Sequence, residues 1–548
     1  MDALASVEAA VRVTGLRLHG WRLPLRAWQR GAFAAWDATR PDDALVVATP
    51  GAGKTRFATR VAHALLRDDA VRRVVVVVPR EHLKAQVARA TLGAGIVLDH
   101  RFTNAQRTPP RDAHGVVVTY QQVCSAPGLY RELSRDGAGT GVLLDEIHHA
   151  GDDATWGRAL RDAFAPARHR VALSGTPFRS DGTAIPFVRY ERGLSVADFA
   201  YDYASALTDG VCRALVFALH GGEAEWIGRD GSRLTATFET GLREKRHTAE
   251  RLRTVLTQEE WIGDVIARAH LRLQSVRAEG HRDAGGLIAA MNQDHARAIA
   301  ALMERRIGVR PAIVVSDIAD ASERIAKFAR SSDPWMVAVH MVSEGVDIPR
   351  LRVGVFASNV VTELYFRQFC GRFVRTIDGA NDPEAYVFMP DDPRLRELAR
   401  GITEDVRHGL RGRDERDAAF SAETAQRDAA MGGGGLYEAI AARTTGEHTV
   451  DFGPLFHPGA PLQNDEPDAP ASPDMLVTTA ERKSSLRQSL QGLVTRVSTR
   501  FGIPHQRVHA TLNERVGGSV AGATERELDL RRRIAEAWLS RDRYDGLR

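Results

Sequence analysis

One short loop of the chain has the composition of a phosphate-binding loop. Thr49–Thr55 reads TPGAGKT, follows the apolar run Ala44–Ala48 and precedes a helical pattern, Arg56–Arg67. Small residues let the backbone wrap around a phosphate with its N–H groups facing inward, and the helix N-terminus adds positive potential. In such a loop the lysine, Lys54, reaches the β- and γ-phosphates of a nucleotide, and the next residue, Thr55, can hold Mg²⁺. The predicted nucleotide contacts are Pro50, Gly51, Ala52, Gly53, Lys54 and Thr55.

A second group of ionisable residues follows the leucine-rich run Val142–Leu144 and reads DEIHH at positions 145–149. A carboxylate at the end of a buried strand is costly unless it meets a cation. Asp145 is therefore a candidate for the Mg²⁺ shell, and Glu146 is a candidate for orienting or deprotonating an attacking water. Taken alone, the segment could equally be a different metal site or a surface turn. Together with the upstream loop, it favours a site that hydrolyses a nucleoside triphosphate.

Ten short apolar runs must position these two segments. Polar or amphipathic stretches separate the runs within each of two series of five. The runs are 44–49, 74–78, 116–119, 142–144 and 171–174, and then 286–290, 312–315, 336–340, 353–357 and 386–389. This pattern is typical of buried parallel strands joined by crossover helices. The sequence therefore predicts an α/β fold with two parallel-sheet domains in tandem.

The remaining segments divide the chain further. Arg213–Phe238 is predicted to form a hairpin, and Glu244–Glu279 is predicted to be helical because its apolar residues are spaced for one face. Four glycines at Gly432–Gly435 and the acidic, proline-rich Asn464–Asp474 indicate a flexible linker. The expected parts are a first α/β domain at 1–205, an inter-domain insertion at 206–280, a second α/β domain at 281–400, a linker region at 401–474 and a helical, basic C-terminal module at 475–548.

The C-terminal module carries most of the excess positive charge. Met475–Arg548 contains 14 basic and 8 acidic residues, whereas the whole chain contains 74 and 70. Its helical patterns place leucine and valine on one side and arginine on the other. The predicted polar side comprises Arg482, Arg487, Arg496, Arg500, Arg531, Arg532 and Arg533. Such a surface suggests a polyanionic partner, and the alternative is a helical module that docks on the rest of the protein for stability alone.

Composition makes several classes of protein improbable. Three cysteines, Cys124, Cys212 and Cys370, cannot form a disulfide framework or a four-cysteine zinc site, and we expect them to pack in the core. No apolar run approaches the roughly 20 residues that span a bilayer. The N-terminus, MDALASVEAAVRV, lacks the basic and apolar regions of a signal peptide. We therefore expect a cytoplasmic protein without a membrane segment.

The acidic segment resembles the DEAD/DEAH box of superfamily 2 helicases, in the form DEIH, and other segments resemble further motifs of that family in the correct order. These are Leu25–Gln29 for the upstream element, Val75–Gln86 for motif Ia, Val116–Tyr120 for motif Ib, Leu173–Arg179 for motif III, Gly286–Asn292 for motif IV, Met341–Pro349 for motif V, and Gln368–Arg375, which fits QxxGRxxR, for motif VI. Each motif is short, but the ordered series from about residue 20 to residue 390 is specific to this superfamily.

The resemblance implies two RecA-like domains that bind ATP and Mg²⁺ in the cleft between them. Gln29 would read the adenine, and Gly345 and Asp347 of motif V would lie on the second-domain side of the nucleotide. Arg375 would act as the finger that stabilises charge on the γ-phosphate, with Arg372 beside it. Because both arginines belong to the second domain, they would engage only when the cleft closes.

The resemblance also implies a nucleic-acid surface and residues that couple this surface to the nucleotide. The expected coupling residues are His148, Ser174, Thr176 and Gln368. Single-stranded nucleic acid would lie across both domains. Its candidate contacts are Arg80 to phosphate, and Thr119 and Tyr120 through hydrogen bonds or stacking.

Two of the motifs bear on the type of nucleic acid. The GTPFR and SEGVDIP forms of motifs III and V are similar to those of the DNA-directed branch, shared with excision-repair helicases and restriction-enzyme motor subunits. We therefore expect a DNA-stimulated ATPase and helicase, more than an RNA-directed enzyme, that travels from 3′ to 5′.

Two alternative functions stay open at this point. One is a translocase or remodeller of double-stranded DNA that never separates strands. The other is a nucleic-acid sensor, in which ATP binding switches a partner in a defence or repair complex. The presence of both Glu146 and Arg375 argues against a switch that cannot hydrolyse ATP.

Overall fold

The structure is a computed structural model that describes residues 18, 20–135, 139–148, 154–175, 184–228, 232–238, 245–315, 321–339, 348–376, 384–403, 438–450, 479–540 and 544. Within these ranges no helix combines the length and the apolar character needed to cross a membrane. The described elements form two large sheets flanked by helices, a small two-stranded ribbon and a C-terminal group of helices.

The first sheet contains seven parallel strands. They are β1 (Asp43–Ala48), β2 (Arg73–Val78), β3 (Leu98–Asp99), β4 (Gly115–Thr119), β5 (Thr140–Asp145), β6 (His169–Ser174) and β9 (Phe199–Tyr201). Their order across the sheet is β3-β4-β2-β5-β6-β1-β9. The ribbon between β6 and β9 is formed by β7 (Arg189–Glu191) and β8 (Leu194–Val196).

Helices cover both faces of this sheet. They are α1 (Ala27–Thr39), α2 (Lys54–Arg67), α3 (Glu81–Leu92), α4 (Tyr120–Ser125), α5 (Pro127–Ser134) and α6 (Ala154–Phe164). Alternate side chains of a strand point to opposite faces, so Val76 of β2 shares a core with Phe57 of α2, whereas Val77 shares the opposite core with Phe164 of α6. Burial on both faces explains why these strands are continuous apolar runs.

The parallel arrangement brings the chemically interesting segments to one edge. The strands β5, β6 and β1 are neighbours, and their carboxyl ends lie at the same edge of the sheet. The phosphate loop follows β1, the DEIH segment begins at the end of β5, and Ser174 ends β6 between them. At the start of α2, Gly53 has a φ of 90°, a left-handed conformation that glycine adopts readily. The loop therefore reverses direction directly before Lys54.

The second sheet is parallel except at one side. Its strands are β10 (Ala214–Ile227), β11 (Arg233–Thr237), β12 (Gly285–Ala290), β13 (Ala312–Val314), β14 (Trp335–Val339), β15 (Leu351–Ala357), β16 (Glu384–Pro390) and β17 (Glu438–Val450). The order is β11-β10-β16-β15-β12-β14-β13, with β17 also paired to β10. Its helices are α7 (Tyr203–Thr208), α8 (Lys245–Thr257), α9 (Glu259–Ala278), α10 (Gln293–Ile307), α11 (Ala321–Arg330), α12 (Glu363–Cys370) and α13 (Pro393–Arg400). The predicted α/β fold with two parallel sheets is confirmed.

The strand β10 belongs to the second sheet as well as to the predicted hairpin. It pairs in parallel with β16 through Ala214–His220 and in antiparallel with β11 through Glu223–Ile227. The strand β17 pairs with β10 over both stretches. A division at residue 280 therefore separates strands that share one sheet. The predicted helix Glu244–Glu279 is two helices, α8 and α9, which meet at Gln258.

The segment that joins the two sheets packs in a core common to both domains. Leu207 of α7 belongs to the same buried cluster as Val171 of β6 and Phe369 of α12. Cys212 and Cys370 are buried in this cluster, Cys124 is half-buried, and none of the three forms a disulfide within the described residues. Burial raises the pKa of Cys212 to about 12, so this thiol stays protonated and behaves as a packing residue.

The C-terminal module contains three helices with a core of their own. They are α14 (Thr479–Phe501), α15 (His505–Val516) and α16 (Glu525–Ser540). The predicted apolar face of α14 is buried in this core, whose members include Leu490, Leu493, Val494, Val497, Val508, Leu512, Leu528 and Trp538.

The arginines of this module do not all face solvent. Arg531 is 0% exposed and donates to the carbonyl oxygens of Gly517 and Gly518, so its predicted place on a polar surface is wrong. Its guanidinium instead satisfies carbonyl groups after α15. Ion pairs with carboxylates engage three others, as Arg482–Glu525, Arg532–Asp529 and Arg533–Asp529. Arg496 and Arg500 are exposed on α14.

The module docks on the first domain beside β3. Asp112 accepts a hydrogen bond from Lys483 Nζ (2.8 Å) through Oδ1 and one from the backbone N–H of Glu525 (2.8 Å) through Oδ2. A carboxylate of the first domain thus caps the N-terminus of α16. Arg89 Nη2 of α3 lies 2.7 Å from Glu481 Oε1. The module therefore contacts the first domain directly, as the docked alternative expects.

Candidate functional site

A cavity of about 330 Å³ lies where the carboxyl edge of the first sheet meets α12 of the second domain. Both domains line it. The first domain contributes Arg26, Pro50, Gly51, Gly53, Lys54, Thr55, Asp145, Glu146, His148 and Gly175, and the second contributes Pro349, Gln368, Arg372, Arg375 and Thr376. The structure therefore brings the phosphate loop, the acidic segment and the motif VI arginines to one site.

The upstream element supports the phosphate loop from below. Gln29 is 2% exposed, its amide nitrogen donates to Gly53 O (3.0 Å), and its amide oxygen accepts from Arg26 N (2.9 Å). The Trp28 indole donates to Ala52 O (2.9 Å). Because both ends of the Gln29 amide are engaged here, this residue shapes the loop, and reading of adenine by Gln29 stays a prediction.

Arg26 is a site residue that the sequence analysis did not single out. Its guanidinium donates to Gly51 O (3.2 Å) and Ala52 O (3.1 Å), and its side chain lines the cavity. Its position one residue after Leu25 in the upstream motif was the available signal. A charged side chain three residues before the motif glutamine is a candidate contact of the phosphate loop when that glutamine lies beside the loop.

Lys54 and Glu146 meet at the centre of the cavity. Lys54 Nζ lies 3.1 Å from Glu146 Oε1 and donates to Ala48 O (3.2 Å). The other carboxylate oxygen, Glu146 Oε2, accepts from the backbone N–H of Gly175 (3.0 Å), directly after β6. The carboxylate is therefore held between Lys54 and the end of a neighbouring strand.

The backbone of Glu146 has an unusual conformation. Its φ is 50°, in the left-handed region that residues with a side chain rarely adopt. Such conformations cost on the order of 1–3 kcal/mol and persist where the surroundings enforce them. Here the turn aims the carboxylate back toward Lys54 instead of along β5. Strain at this position is typical of a residue whose placement matters for function.

Asp145 occupies the end of β5 beside Glu146. Burial and the negative charge of Glu146 raise the pKa of Asp145, and Lys54 opposes this shift. The carboxyl group is thus poorly solvated and gains from a nearby cation. Tyr120 OH donates to the backbone carbonyl of Asp145 (2.9 Å), which fixes the end of the strand.

Three of the expected coupling residues form a chain of contacts across the cleft. His148 Nδ1 lies 2.9 Å from Ser174 Oγ, and His148 Nε2 lies 3.4 Å from the amide nitrogen of Gln368 on α12. His148 therefore lies between β6 of the first domain and motif VI of the second.

The motif VI segment lies against the phosphate loop. A Cβ atom added at Gly371 would come within 2.7 Å of the Pro50 ring, and one added at Gly51 would lie 3.1 Å from Arg375 Cγ. Cys212 pairs with Arg375 in an antiparallel bridge, and its thiol lies 3.6 Å from Pro50 O. The two domains therefore meet at the phosphate loop through glycine positions that allow close approach.

The candidate nucleic-acid contacts lie outside this cavity. Arg80 is exposed. Thr119 is buried, and its hydroxyl accepts from Gln122 N (3.1 Å) as the N-cap of α4. Tyr120 is 1% exposed, so its ring has no free face for stacking on a base, and the predicted stacking contact is wrong. Tertiary packing under α4 removes this ring from the surface. The other site predictions, Thr176, Gly345 and Asp347, lie outside the described residues.

The chain is similar in sequence to several known proteins. Residues 22–179 match the family model ResIII, the res subunit of type III restriction enzymes. The uncharacterized protein MT2985 of Mycobacterium tuberculosis (strain CDC 1551 / Oshkosh) is 39% identical over 557 residues, which cover 93% of this chain and 92% of that protein. The uncharacterized protein ML1624 of Mycobacterium leprae (strain TN) is 37% identical over 562 residues, with 93% of each chain covered.

One solved structure with a similar arrangement is the ATP-dependent type ISP restriction-modification enzyme LlaBIII bound to DNA. It has a TM-score of 0.46 and 15% identity over 70% of this chain and 30% of that chain. The ordered motifs, the match over 22–179 and the identity to the mycobacterial proteins agree. The chain belongs to the family of these mycobacterial proteins, and its residues 22–179 are similar to the res subunit of type III restriction enzymes.

Proposed function

We propose that this protein is a motor that hydrolyses ATP in the cleft between its two α/β domains and uses the energy to move along DNA. One observation carries the proposal: a single cavity collects Lys54 and Glu146 from one domain and Arg372 and Arg375 from the other. A site assembled from two domains responds to the presence of the γ-phosphate, and so couples chemistry to domain closure.

The first domain would bind the nucleotide and prepare the water. Lys54 releases its ion pair with Glu146 and neutralises the β- and γ-phosphates. Glu146, still held by Gly175 N, then orients or deprotonates the attacking water. Helix α2 begins at Lys54, so its N-terminal N–H groups add to the phosphate cradle.

The site also fits Mg²⁺. The Asp145 carboxylate and the Thr55 hydroxyl both line the cavity, and oxygen ligands of this kind suit a hard divalent cation. The raised pKa of Asp145 means that this carboxylate gains from a cation more than a solvated one does. A bound Mg²⁺ would neutralise charge on the phosphate oxygens during transfer.

The second domain would complete the site on closure. Burial lowers the pKa of Arg375 to about 10, which leaves the guanidinium charged at neutral pH. Arg375 acts as the finger on the γ-phosphate and Arg372 supports it. The contacts from Ser174 through His148 to Gln368 link closure of the cleft to the strand β6 and to the loop that follows it.

Closure of the cleft depends on the glycine at position 371, and replacing Gly371 tests this dependence directly. A methyl group at Gly371→Ala would meet the Pro50 ring at 2.7 Å and hold the domains apart. We expect kcat for ATP to fall at least about tenfold, a barrier increase of roughly 1.4 kcal/mol, with ATP affinity of the first domain little changed. Steady-state ATPase assays and nucleotide titrations measure both quantities. Gly128→Ala is the control, because no atom lies within 4 Å of the added methyl group; equal rates for the two variants contradict the closure contact.

DNA is the nucleic acid that the branch and the motif forms favour. The exposed Arg80 lies within motif Ia, and the Thr119 backbone and cap lie within motif Ib, so both adjoin the proposed path of a single strand. The matched family is a restriction-enzyme subunit. We place the protein in the cytoplasm, where the thiols of its three cysteines stay reduced.

Two assays separate the proposed motor from its alternatives. DNA should stimulate ATP turnover many-fold and RNA should stimulate it weakly, and a labelled duplex with a single-stranded tail should then be separated. Stimulation without strand separation supports a translocase on double-stranded DNA. ATP binding with no stimulated turnover supports a sensor and contradicts the motor.

The C-terminal module is proposed to add phosphate contacts to the motor. Arg496 and Arg500 are exposed on α14, away from the docking contacts at Asp112, whereas the exposed Arg482 pairs with Glu525. Each phosphate neutralised contributes about 0.9 to the slope of log K against log salt. Deleting residues 475–548 should weaken DNA binding and flatten the slope by roughly two to four units, with the double variant Arg496→Gln/Arg500→Gln giving about two.

DNA titrations at several salt concentrations measure this slope. Basal ATPase should survive both changes, because the module lies outside the cleft. Arg532→Gln is the control, since its guanidinium already pairs with Asp529 and Glu536. Parallel lines of equal height for the wild-type and truncated proteins would show that the module only docks on the motor.

A further inference from the structure

One buried arginine joins the linker between the domains to the motif VI segment. Arg213 directly precedes β10 and is 1% exposed. It follows Cys212, the residue that pairs with Arg375. Arg213 lies outside every motif of the superfamily series identified in the sequence. None of the site residues described above makes the contacts that Arg213 makes.

The Arg213 guanidinium binds two separate segments of the second domain. Nη1 donates to Leu351 O (2.9 Å) and Phe373 O (3.4 Å), and Nη2 donates to Pro349 O (3.2 Å). Pro349 lies at the end of motif V, and Phe373 lies within motif VI. The rigid fork of donors therefore holds the two motifs at a set separation.

The backbone of Arg213 adds two further bonds. Its N–H donates to Val374 O (2.7 Å), and its carbonyl accepts from Tyr203 OH (2.5 Å) on α7. The residues on either side of Val374 are fixed as well. Phe373 O accepts a hydrogen bond from Arg213, and Arg375 pairs with Cys212. These contacts determine where the backbone of Arg375 lies relative to Pro50 of the phosphate loop.

A buried guanidinium in this position is costly. Burial lowers the pKa of Arg213 to about 9, which reflects the unfavourable transfer of its charge from water. The carbonyl bonds offset part of that cost. A neutral apolar side chain of similar size would fill the same space, so the contacts themselves are the feature that distinguishes arginine here.

We propose that Arg213 is a positioning residue for ATP hydrolysis, which holds motifs V and VI together and thereby sets the place of the Arg375 guanidinium in the cleft. The inference rests on the proposed function, because it assigns Arg213 a role through Arg375. It predicts a loss of catalysis that is specific to the transition state, since a misplacement of about 1 Å can cost on the order of 10²-fold in rate.

The first experiment compares Arg213→Met with a matched buried arginine. Arg170 of the first domain also donates to three carbonyl oxygens, those of Phe164, Ala165 and Ala167, but it lies at the opposite end of β6 from the cleft. Arg213→Met should lower kcat by about 10- to 100-fold with KM for ATP within about threefold of wild type. Arg170→Met should lower the Tm by a similar amount and change kcat by less than threefold. Equal losses of kcat in the two variants overturn the proposal.

The second experiment tests whether Arg213 acts through Arg375. In an Arg375→Ala background, adding Arg213→Met should lower the single-turnover rate by less than about threefold, because the finger is already absent. The same fold loss in both backgrounds overturns the positioning role and leaves the proposed motor intact. An Arg375→Ala variant with wild-type turnover overturns both.

A conservative variant keeps the test decisive if Arg213→Met does not fold. Arg213→Lys retains the charge and most of the volume, but its single nitrogen cannot occupy both the Nη1 position at Leu351 O and the Nη2 position at Pro349 O. It should fold and still lower kcat at least fivefold without a matching rise in KM. Wild-type kcat for a folded Arg213→Lys variant contradicts the requirement for the fork.

Discussion

Glu146→Gln is expected to bind ATP with near wild-type affinity and to hydrolyse it about 10²- to 10⁴-fold more slowly. Glutamine preserves the size of the side chain, and its carbonyl oxygen still accepts from Gly175 N, so the cavity keeps its shape. It loses the negative charge that attracts the proton of the attacking water. It also loses the ion pair with Lys54, which leaves the ammonium more available to the phosphates. Binding is therefore retained while the chemical step fails.

Nucleotide titration and single-turnover hydrolysis measure the two effects separately. Lys54→Ala provides the contrast, because loss of the ammonium removes ground-state binding of the β- and γ-phosphates and abolishes turnover as well. Glu191→Gln on the exposed strand β7 is the matched control and should behave as wild type. A Glu146→Gln variant that turns over ATP at the wild-type rate would exclude the DEIH segment from catalysis.

Much of the site could be predicted because its elements are local in sequence. The phosphate loop is identifiable from seven consecutive residues between a valine-rich strand and a helix, and Asp145 and Glu146 follow a second such strand. Parallel strands bring their carboxyl ends to one edge, so two such segments are expected to meet there. The observed contact between Lys54 Nζ and Glu146 Oε1 agrees with that expectation.

The details that escaped prediction depend on contacts between distant parts of the chain. The left-handed backbone of Glu146 has no signature in the residue type, because glutamate adopts it only when its surroundings enforce it. The motif position predicted a surface place for Tyr120 and the helical pattern predicted one for Arg531, yet packing buries both. For Arg531, the decisive fact is that Gly517 and Gly518 present carbonyl oxygens to it, which the helical pattern of α16 cannot show.

The domain division shows the same limit at a larger scale. The run of β10 was recognised as a strand, but its partner β16 begins at residue 384 and its partner β17 at residue 438. Likewise, the docking of α14 on the first domain rests on Asp112, which is 371 residues from Lys483. Local patterns predict that a strand or helix exists, and only the folded chain determines what it pairs with.

Arg375→Ala is expected to lower kcat by on the order of 10³ or more while ATP affinity changes little. In the proposed mechanism the guanidinium would reach the nucleotide from the second domain, so its largest contribution would arise when charge develops on the γ-phosphate in the closed cleft. ATP bound to the phosphate loop alone does not require it. Burial lowers the pKa of Arg375 to about 10, and the group therefore remains a cation throughout the neutral range in which the assay is made.

Equilibrium titration with ATP measures binding in this variant, and a hydrolysis time course with quenched samples measures catalysis. Arg324→Ala, at an exposed position on α11 of the same domain, is the control for loss of an arginine and should retain wild-type kcat. Arg375→Lys should recover only part of the rate, because an ammonium group lacks the planar pair of donors that matches a phosphate. If the affinity for ATP falls as far as kcat does, Arg375 is a ground-state contact. The proposed cleft geometry, in which Arg375 engages the γ-phosphate mainly in the transition state, would then be wrong.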